Sequence, residues 1–202
     1  YDAMVAMGSQ PLFGGSIPPH GAYLKPDPER VSFYRQKLEA LGRGPYIGFS
    51  WFGGLKKTHT HLRNVHQEKW KPFTRYGTPI SIQYGEVGRK EHQQLSLPHW
   101  QEAIDDLDEF AALVKALDLV VCVNSTPVHF CGAMDVPCWT LTPAAPAWRY
   151  QLKGDSIPWY RSVKQYRQEG TDWKPAFARI EKDLEQFCRR PEHQSVIERL
   201  AA

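Results

Sequence analysis

The run Val121-Cys122-Val123-Asn124-Ser125-Thr126-Pro127-Val128-His129 carries the strongest chemical signal in the chain. An apolar strand ends at Asn124 and a helix opens at Pro127, with Ser125 or Thr126 as its cap. The N–H groups of such a first turn leave the carboxyl end of a strand as a ready anion site, reinforced by the helix dipole. His129 falls in the first turn, where its side chain can reach a phosphate. The plainer alternative is a capped helix with a half-buried histidine. A second candidate is Ser50-Trp51-Phe52-Gly53-Gly54-Leu55-Lys56-Lys57, followed by Arg63. Glycines let backbone approach a phosphate, and Lys56, Lys57 and Arg63 would neutralise it. The run matches neither the GxGxxG nor the GxxxxGK[ST] phosphate pattern, so a solvated loop stays open as the alternative. A third candidate is the Pro-rich loop after Leu141, with Trp148, Arg149, Trp159 and Tyr160. Aromatic side chains there could wall a base or sugar pocket or simply pack over the sheet.

Other chemistries find less support. His59, His61 and His66 lack a third strong ligand at metal-site spacing, so no metal is expected. Cys122, Cys131, Cys138 and Cys188 form no CxxC pair. Three of them lie in apolar runs and are read as free core thiols of a reducing compartment. The expected location is therefore intracellular, in the cytoplasm. No GxSxG elbow and no HExxH motif occurs.

The elements that position these residues follow from patterning. The chain has 202 residues, 42% hydrophobic and 23% charged, which is globular composition. Its mean hydropathy is −0.51. Its apolar runs are too short to span a bilayer, and no secretory signal opens it. The net charge of +3 is too mild for a nucleic-acid binder, and the charge is segregated. Lys56, Lys57, Arg63, Lys69, Lys71 and Arg75 face a single acid, Glu68, in the same stretch. Glu102, Asp105, Asp106, Asp108 and Glu109 cluster without a base. A short basic stretch suits a small anionic ligand.

Residues 1–44 are read as a Gly/Pro-rich connector and a first helix, which Asp27-Pro28-Glu29 opens and Gly42 and Gly44 stop. Residues 45–202 are read as one α/β domain. Strands are expected at 46–51, 78–84, 119–123, 137–141 and 163–167. Helices are expected at 107–116, 127–134 and 173–190. Strands alternating with helices imply a parallel sheet covered on both faces.

These pieces together resemble a known family. The run from Asp118 to Arg167 is similar to the C-terminal domain of glycosyltransferase family 9-like proteins, which include the lipopolysaccharide heptosyltransferases. It is closer still to tetratricopeptide-repeat (TPR) proteins with a glycosyltransferase-like C-terminal half, akin to the O-linked N-acetylglucosamine transferases. The matching residues are Asn124, Ser125, His129, Gly132-Ala133, Pro137, Trp148-Arg149 and Ser156-Ile157-Pro158-Trp159-Tyr160. Gly48-Phe49-Ser50-Trp51, Gly53, Arg63-Asn64 and Ile82-Gln83-Tyr84-Gly85-Glu86 extend the likeness upstream.

The resemblance implies a Rossmann-like doubly wound sheet, the C-terminal, donor-binding half of a GT-B fold. It implies a bacterial-type glycosyltransferase whose substrate is a nucleoside-diphosphate sugar and which requires no cofactor. By the same resemblance Ser125, Thr126 and His129 hold the diphosphate, with Lys56, Lys57 or Arg63 opposite. Glu86 takes the ribose, Asp105 lies near the base, and Asn124, Trp148, Arg149 and Trp159 wall the pocket. His129 is the one catalytic candidate. An N-terminal GT-B half or a repeat region upstream is the expected partner. Two departures stand out: Asn124 replaces the family's usual Asp, and the chain has almost none of the N-terminal half that carries the family's base. A non-catalytic interaction module of the same fold is therefore the competing expectation.

Overall fold

The computed structural model describes residues 21–54, 60–85 and 94–193. Among these, six strands form one sheet: β1 Tyr46–Ser50, β2 Thr78–Ser81, β3 Leu119–Val123, β4 Cys138–Thr142, β5 Ser156–Ile157 and β6 Tyr160–Arg167. Their order is β2-β1-β3-β4-β6-β5. Every pairing is parallel except that of β5 with β6, which closes the edge as a short hairpin. The helices are α1 Pro28–Leu41, α2 Gln101–Asp105, α3 Leu107–Ala116, α4 Thr126–Met134 and α5 Lys174–Cys188. This is an α/β Rossmann-like fold with helices on both faces.

The strand sequences dictate that layering. β1 and β3 are buried at every residue, the mark of a strand covered on both sides. In β3 the alternation is direct. Leu119, Val121 and Val123 enter one core with Trp70, Phe73, Ile180 and Leu184. Val120 and Cys122 enter the other with Leu38, Leu113, Cys131 and Met134. The period of two sends neighbouring residues to opposite faces. Helix α1 begins where expected: the Asp27 carboxylate accepts from Glu29 N at 2.8 Å, and Tyr34 and Leu38 are its buried face. Asp118, just ahead of β3, ties the layers together. It accepts from Tyr46 N at 2.8 Å and from Arg35 Nη1 at 3.0 Å.

Several elements differ from the sequence expectation, among them α2, which was not expected, and β6, which begins at Tyr160 rather than Val163. Strand β2 stops at Ser81 rather than Tyr84, because the side chain of Gln83 turns to serve the loop after β1. Residues 67–75, read only as part of a basic stretch, form a 3-10 helix with Gln67, Trp70 and Phe73 buried. A 3-10 helix has three residues per turn, so this spacing of three is an amphipathic pattern of its own. The short β5 was not foreseen. Residues 1–20 of the expected connector lie outside the described residues.

Candidate functional site

The strand order places β2 and β3 on opposite sides of β1. The chain crosses from β1 to β2 on one side and then returns past β1 to β3 on the other, so a crevice opens at the carboxyl ends of β1 and β3, where α/β sheets bind ligands. A cavity of about 470 Å³ occupies that place. Gly54 follows β1, Asn124, Ser125, Thr126 and His129 follow β3, and Pro143, Ala145, Pro146 and Ala147 with Arg149 and Tyr150 follow β4. Arg63, Leu62 and Tyr84 complete the lining.

The loop after β1 is held by one buried amide. Gln83 accepts through Oε1 from Trp51 N and Phe52 N, each at 2.9 Å, and from the Ser50 hydroxyl at 3.1 Å. Its Nε2 donates to Phe52 O and Tyr84 O. Beyond it, Gly53 N donates to Asn64 Oδ1 at 2.9 Å and Gly53 O accepts from Arg63 Nε at 3.1 Å. Gly53 also packs on the start of α4: a Cβ there would lie 2.4 Å from the Cβ of Ser125. Only glycine permits that approach.

The start of α4 is open to a ligand. Ser125 stands at the N-cap, yet its hydroxyl donates to Val123 O at 3.0 Å rather than capping. No side chain caps the helix, and Pro127 removes one N–H from its first turn. His129 is half-buried. Its Nδ1 is 3.3 Å from the Tyr160 hydroxyl, and the two rings meet edge to face. Burial, and after it the nearby Arg149 guanidinium, pushes the His129 pKa below the usual 6.5. Its imidazole is therefore neutral at pH 7. Burial also pushes the Tyr150 and Tyr160 phenols up.

The structure thus brings Arg63, Asn124, Ser125, Thr126, His129 and Arg149 to one cavity. Trp148 and Trp159 do not line it. They pack on each other at 5.5 Å, and Trp159 Nε1 donates to Arg149 O, which props up the loop carrying Arg149. Asp105 is not brought to the cavity either. It lies exposed on α2 and accepts from Gln101 Nε2, while Ala103 of the same helix enters the core. Lys56, Lys57 and Glu86 lie outside the described residues, as does His59. Among the described residues, no group of three or more His, Cys, Asp or Glu could hold a metal ion. No helix among them is long and apolar enough to cross a membrane. Cys122, Cys131 and Cys138 are buried free thiols in the core, with Cys188 half-buried. Sequence reasoning gave no site role to Tyr84, in the segment after β2, or to Tyr150, at the end of the 3-10 turn Trp148–Tyr150, and for both the one signal was an aromatic residue in a loop beyond a strand.

Comparison with known proteins agrees with the architecture. The structure is similar to that of E. coli ADP-heptose lps heptosyltransferase II, with a TM-score of 0.52 at 18% identity, over 81% of this chain and 54% of that one. The likeness is one of fold: the α/β Rossmann-like sheet matches about half of that GT-B glycosyltransferase. The wall teichoic acid polymerase TagF is a more distant neighbour, with a TM-score of 0.39 at 9% identity, over 80% of this chain and 42% of that one. In sequence the chain is 33% identical over 187 residues to Protein FlbA of Caulobacter vibrioides, covering 86% of this chain and 30% of FlbA. It therefore spans about a third of FlbA and about half of heptosyltransferase II. No family model matches the chain.

Proposed function

We propose that the chain is the donor-binding part of a glycosyltransferase. In this reading it holds a nucleoside-diphosphate sugar over the carboxyl ends of β1, β3 and β4 and supports transfer of the sugar to an acceptor. One observation carries the reading: Arg63, Arg149, His129 and the uncapped start of α4 converge on a cavity at the switch point of the sheet. The chemistry this arrangement suits is electrostatic. As the glycosidic bond to phosphate breaks, negative charge grows on the departing diphosphate. Two guanidinium groups and a helix N-terminus already aimed at it lower the barrier without reorganising. His129, neutral at pH 7, can add a hydrogen bond to the same oxygens.

The described lining residues include no carboxylate. The group that takes the acceptor's proton is therefore expected from a facing wall: a second GT-B half, or a repeat region such as the TPR-like one the sequence suggested. The lack of a carboxylate also favours the second reading, a non-catalytic module that keeps the fold. Calorimetric titration with UDP, ADP, GDP and their sugar conjugates separates the two. Saturable binding of one base, abolished in Thr126→Ala/His129→Ala, is the expected result. Binding by the double variant at the parent's affinity would show that the site is misassigned. No binding by the parent would favour the module.

A further inference from the structure

The connection from β4 to β5, residues 143–155, supplies much of the cavity wall, including Arg149 and Tyr150. It is long and carries one short turn, the 3-10 helix Trp148–Tyr150. A loop of that length has many conformations to choose from, so something must fix the two side chains it presents. Beyond the turn its carbonyls converge on one side chain from the far end of β6. Arg167 Nη2 donates to Tyr150 O at 2.7 Å and to Lys153 O at 3.2 Å, Nη1 donates to Gln151 O at 3.0 Å, and Nε to Gly154 O at 2.5 Å. The charge is met by these carbonyl dipoles, with the Asp155 carboxylate nearby. Arg167 is itself fixed to the sheet. It lies opposite Thr142 in the β4–β6 register, and its carbonyl accepts from Arg179 Nη2 of α5 at 2.8 Å.

Gln151 shows what this clamp must hold. Its φ of +57° and ψ of 173° are a backbone state that residues with a side chain rarely adopt. Strain of this kind lasts only where the surroundings over-determine it. The guanidinium does so here, because it binds the carbonyl before Gln151 and that of Gln151 itself.

We infer that Arg167 is a positioning residue: by gathering four carbonyls it sets the Arg149–Tyr150 wall of the cavity in place before a ligand arrives. For what that wall binds, the inference rests on the nucleotide-sugar reading above. Arg167 does not line the cavity. It acts through Arg149, whose guanidinium would otherwise have to be ordered as the ligand binds. Lysine is no substitute, since an ammonium is a point charge and cannot match carbonyls spread around a planar fork.

Two assays on the full chain test this. The first needs no nucleotide. Arg149 and Lys153 are trypsin sites within the loop, and mass spectrometry of the fragments reads cleavage at each. Arg167→Ala should be cut there about tenfold faster than the wild type. Millimolar methylguanidinium, which can refill the place among the four carbonyls, should restore resistance. Methylammonium at the same concentration should not, a contrast that general weakening of the fold or a change of ionic strength would not produce. The second assay is calorimetry with UDP, ADP and GDP. For whichever diphosphate binds, Arg167→Ala should weaken binding about tenfold, the worth of one charge-assisted contact, and methylguanidinium should recover it. In an Arg149→Met background the same substitution should change affinity by no more than about twofold, because its effect runs through Arg149. If Arg167→Ala does not fold, Arg167→Lys carries the same comparisons without the rescue and should show most of the same losses. Unchanged cleavage at Arg149 and Lys153, or protection by methylammonium as good as that by methylguanidinium, overturns the inference. Binding by the Arg167 variant at wild-type affinity overturns it too, as does a loss that adds in full to that of Arg149→Met. If no nucleotide binds the wild type, the nucleotide reading fails, and the trypsin result alone upholds or overturns the clamp.

Discussion

Replacing Gly132 by alanine pits two physical rules against each other, and the structure decides the sign. Gly132 lies inside α4, where alanine would normally stabilise by about 1 kcal/mol through helix propensity. A Cβ at this position, however, would lie 2.0 Å from Cγ of Tyr160 and 2.4 Å from each of its Cδ atoms. Cγ is the root of the ring, so turning the ring about Cβ–Cγ leaves the contact in place, and a swing about Cα–Cβ would break the contacts of Tyr160 with His129. To reach an ordinary 3.4 Å separation, β6 and α4 must part by about 1.4 Å at a packed interface. Overpacking of this kind typically costs about 1–3 kcal/mol, and the upper end applies where backbone must move. Setting ~3 kcal/mol against ~1 kcal/mol of propensity leaves a net loss of about 2 kcal/mol. For a chain of this size that lowers Tm by roughly 4–8 °C. Thermal melts followed by circular dichroism check the value. The decisive comparison is the same substitution in a Tyr160→Ala background, where the ring is gone and Gly132→Ala should stabilise by about 1 kcal/mol. A Gly132→Ala single variant that melts at or above the wild type would refute the packing argument.

Four further outcomes follow from the site and its supports. Gln83→Leu should cost about 3 kcal/mol in urea unfolding, because it strands the buried N–H groups of Trp51 and Phe52, and it should weaken nucleotide binding by loosening the loop after β1. Asp118→Ala should cost about 2 kcal/mol in the same assay, since Tyr46 N and Arg35 both lose their acceptor. Arg63→Ala should weaken binding of whichever diphosphate the chain takes by about tenfold, as expected for one charge-assisted contact, with UDP, ADP and GDP titrations as the check. The pH dependence of stability should carry a His129 component. Burial and Arg149 hold its folded pKa below 6.5, so the unfolded chain takes up the proton first as pH falls. Stability from the neutral ring is whole above pH 6.5 and drains away below it, through the lowered folded pKa. Arg63, Arg149 and Tyr150 border the same cavity, and the Tyr160 hydroxyl lies 3.3 Å from His129 Nδ1; both phenols stay protonated in this range. His129→Gln should flatten the fall between neutral and acid pH, and an unchanged profile would count against a buried neutral imidazole.

Much of this architecture can be read from the chain in order. The all-apolar run Leu119–Val123 can only be a strand covered on both faces, and Asp27-Pro28-Glu29 can hardly be anything but a helix start. The same local logic found the Ser125–His129 turn, because strand end, cap and helix start are neighbours in sequence. The errors came where the usual periods do not apply or where long-range pairing decides. Gln67, Trp70 and Phe73 follow a period of three, which a search for helical or strand spacing passes over. Trp148 and Trp159 have the composition of a pocket wall, yet their rings meet edge to face, Trp159 Nε1 donates to Arg149 O, and neither lines the cavity. Asp105 sits in an acidic run that suits a polar pocket, but Ala103 two residues earlier anchors the short helix elsewhere.

The sequence by itself determined the alternation of strands and helices, the two-sided burial of the central strands and the start of α4 at the carboxyl end of β3. Each depends on residues within about a dozen positions of one another, where backbone geometry links type to place. Only the tertiary structure decided that Arg63, from one connection, and Arg149, from another, face the same helix start across β1 and β4. It alone decided that Gly132 must accommodate Tyr160, and that Asn124 donates to Thr140 and Thr142 of β4. Most of those choices join residues 18 or more positions apart, from Asn124 with Thr142 up to the 86 between Arg63 and Arg149. They are set by strand register and packing, which no local pattern encodes.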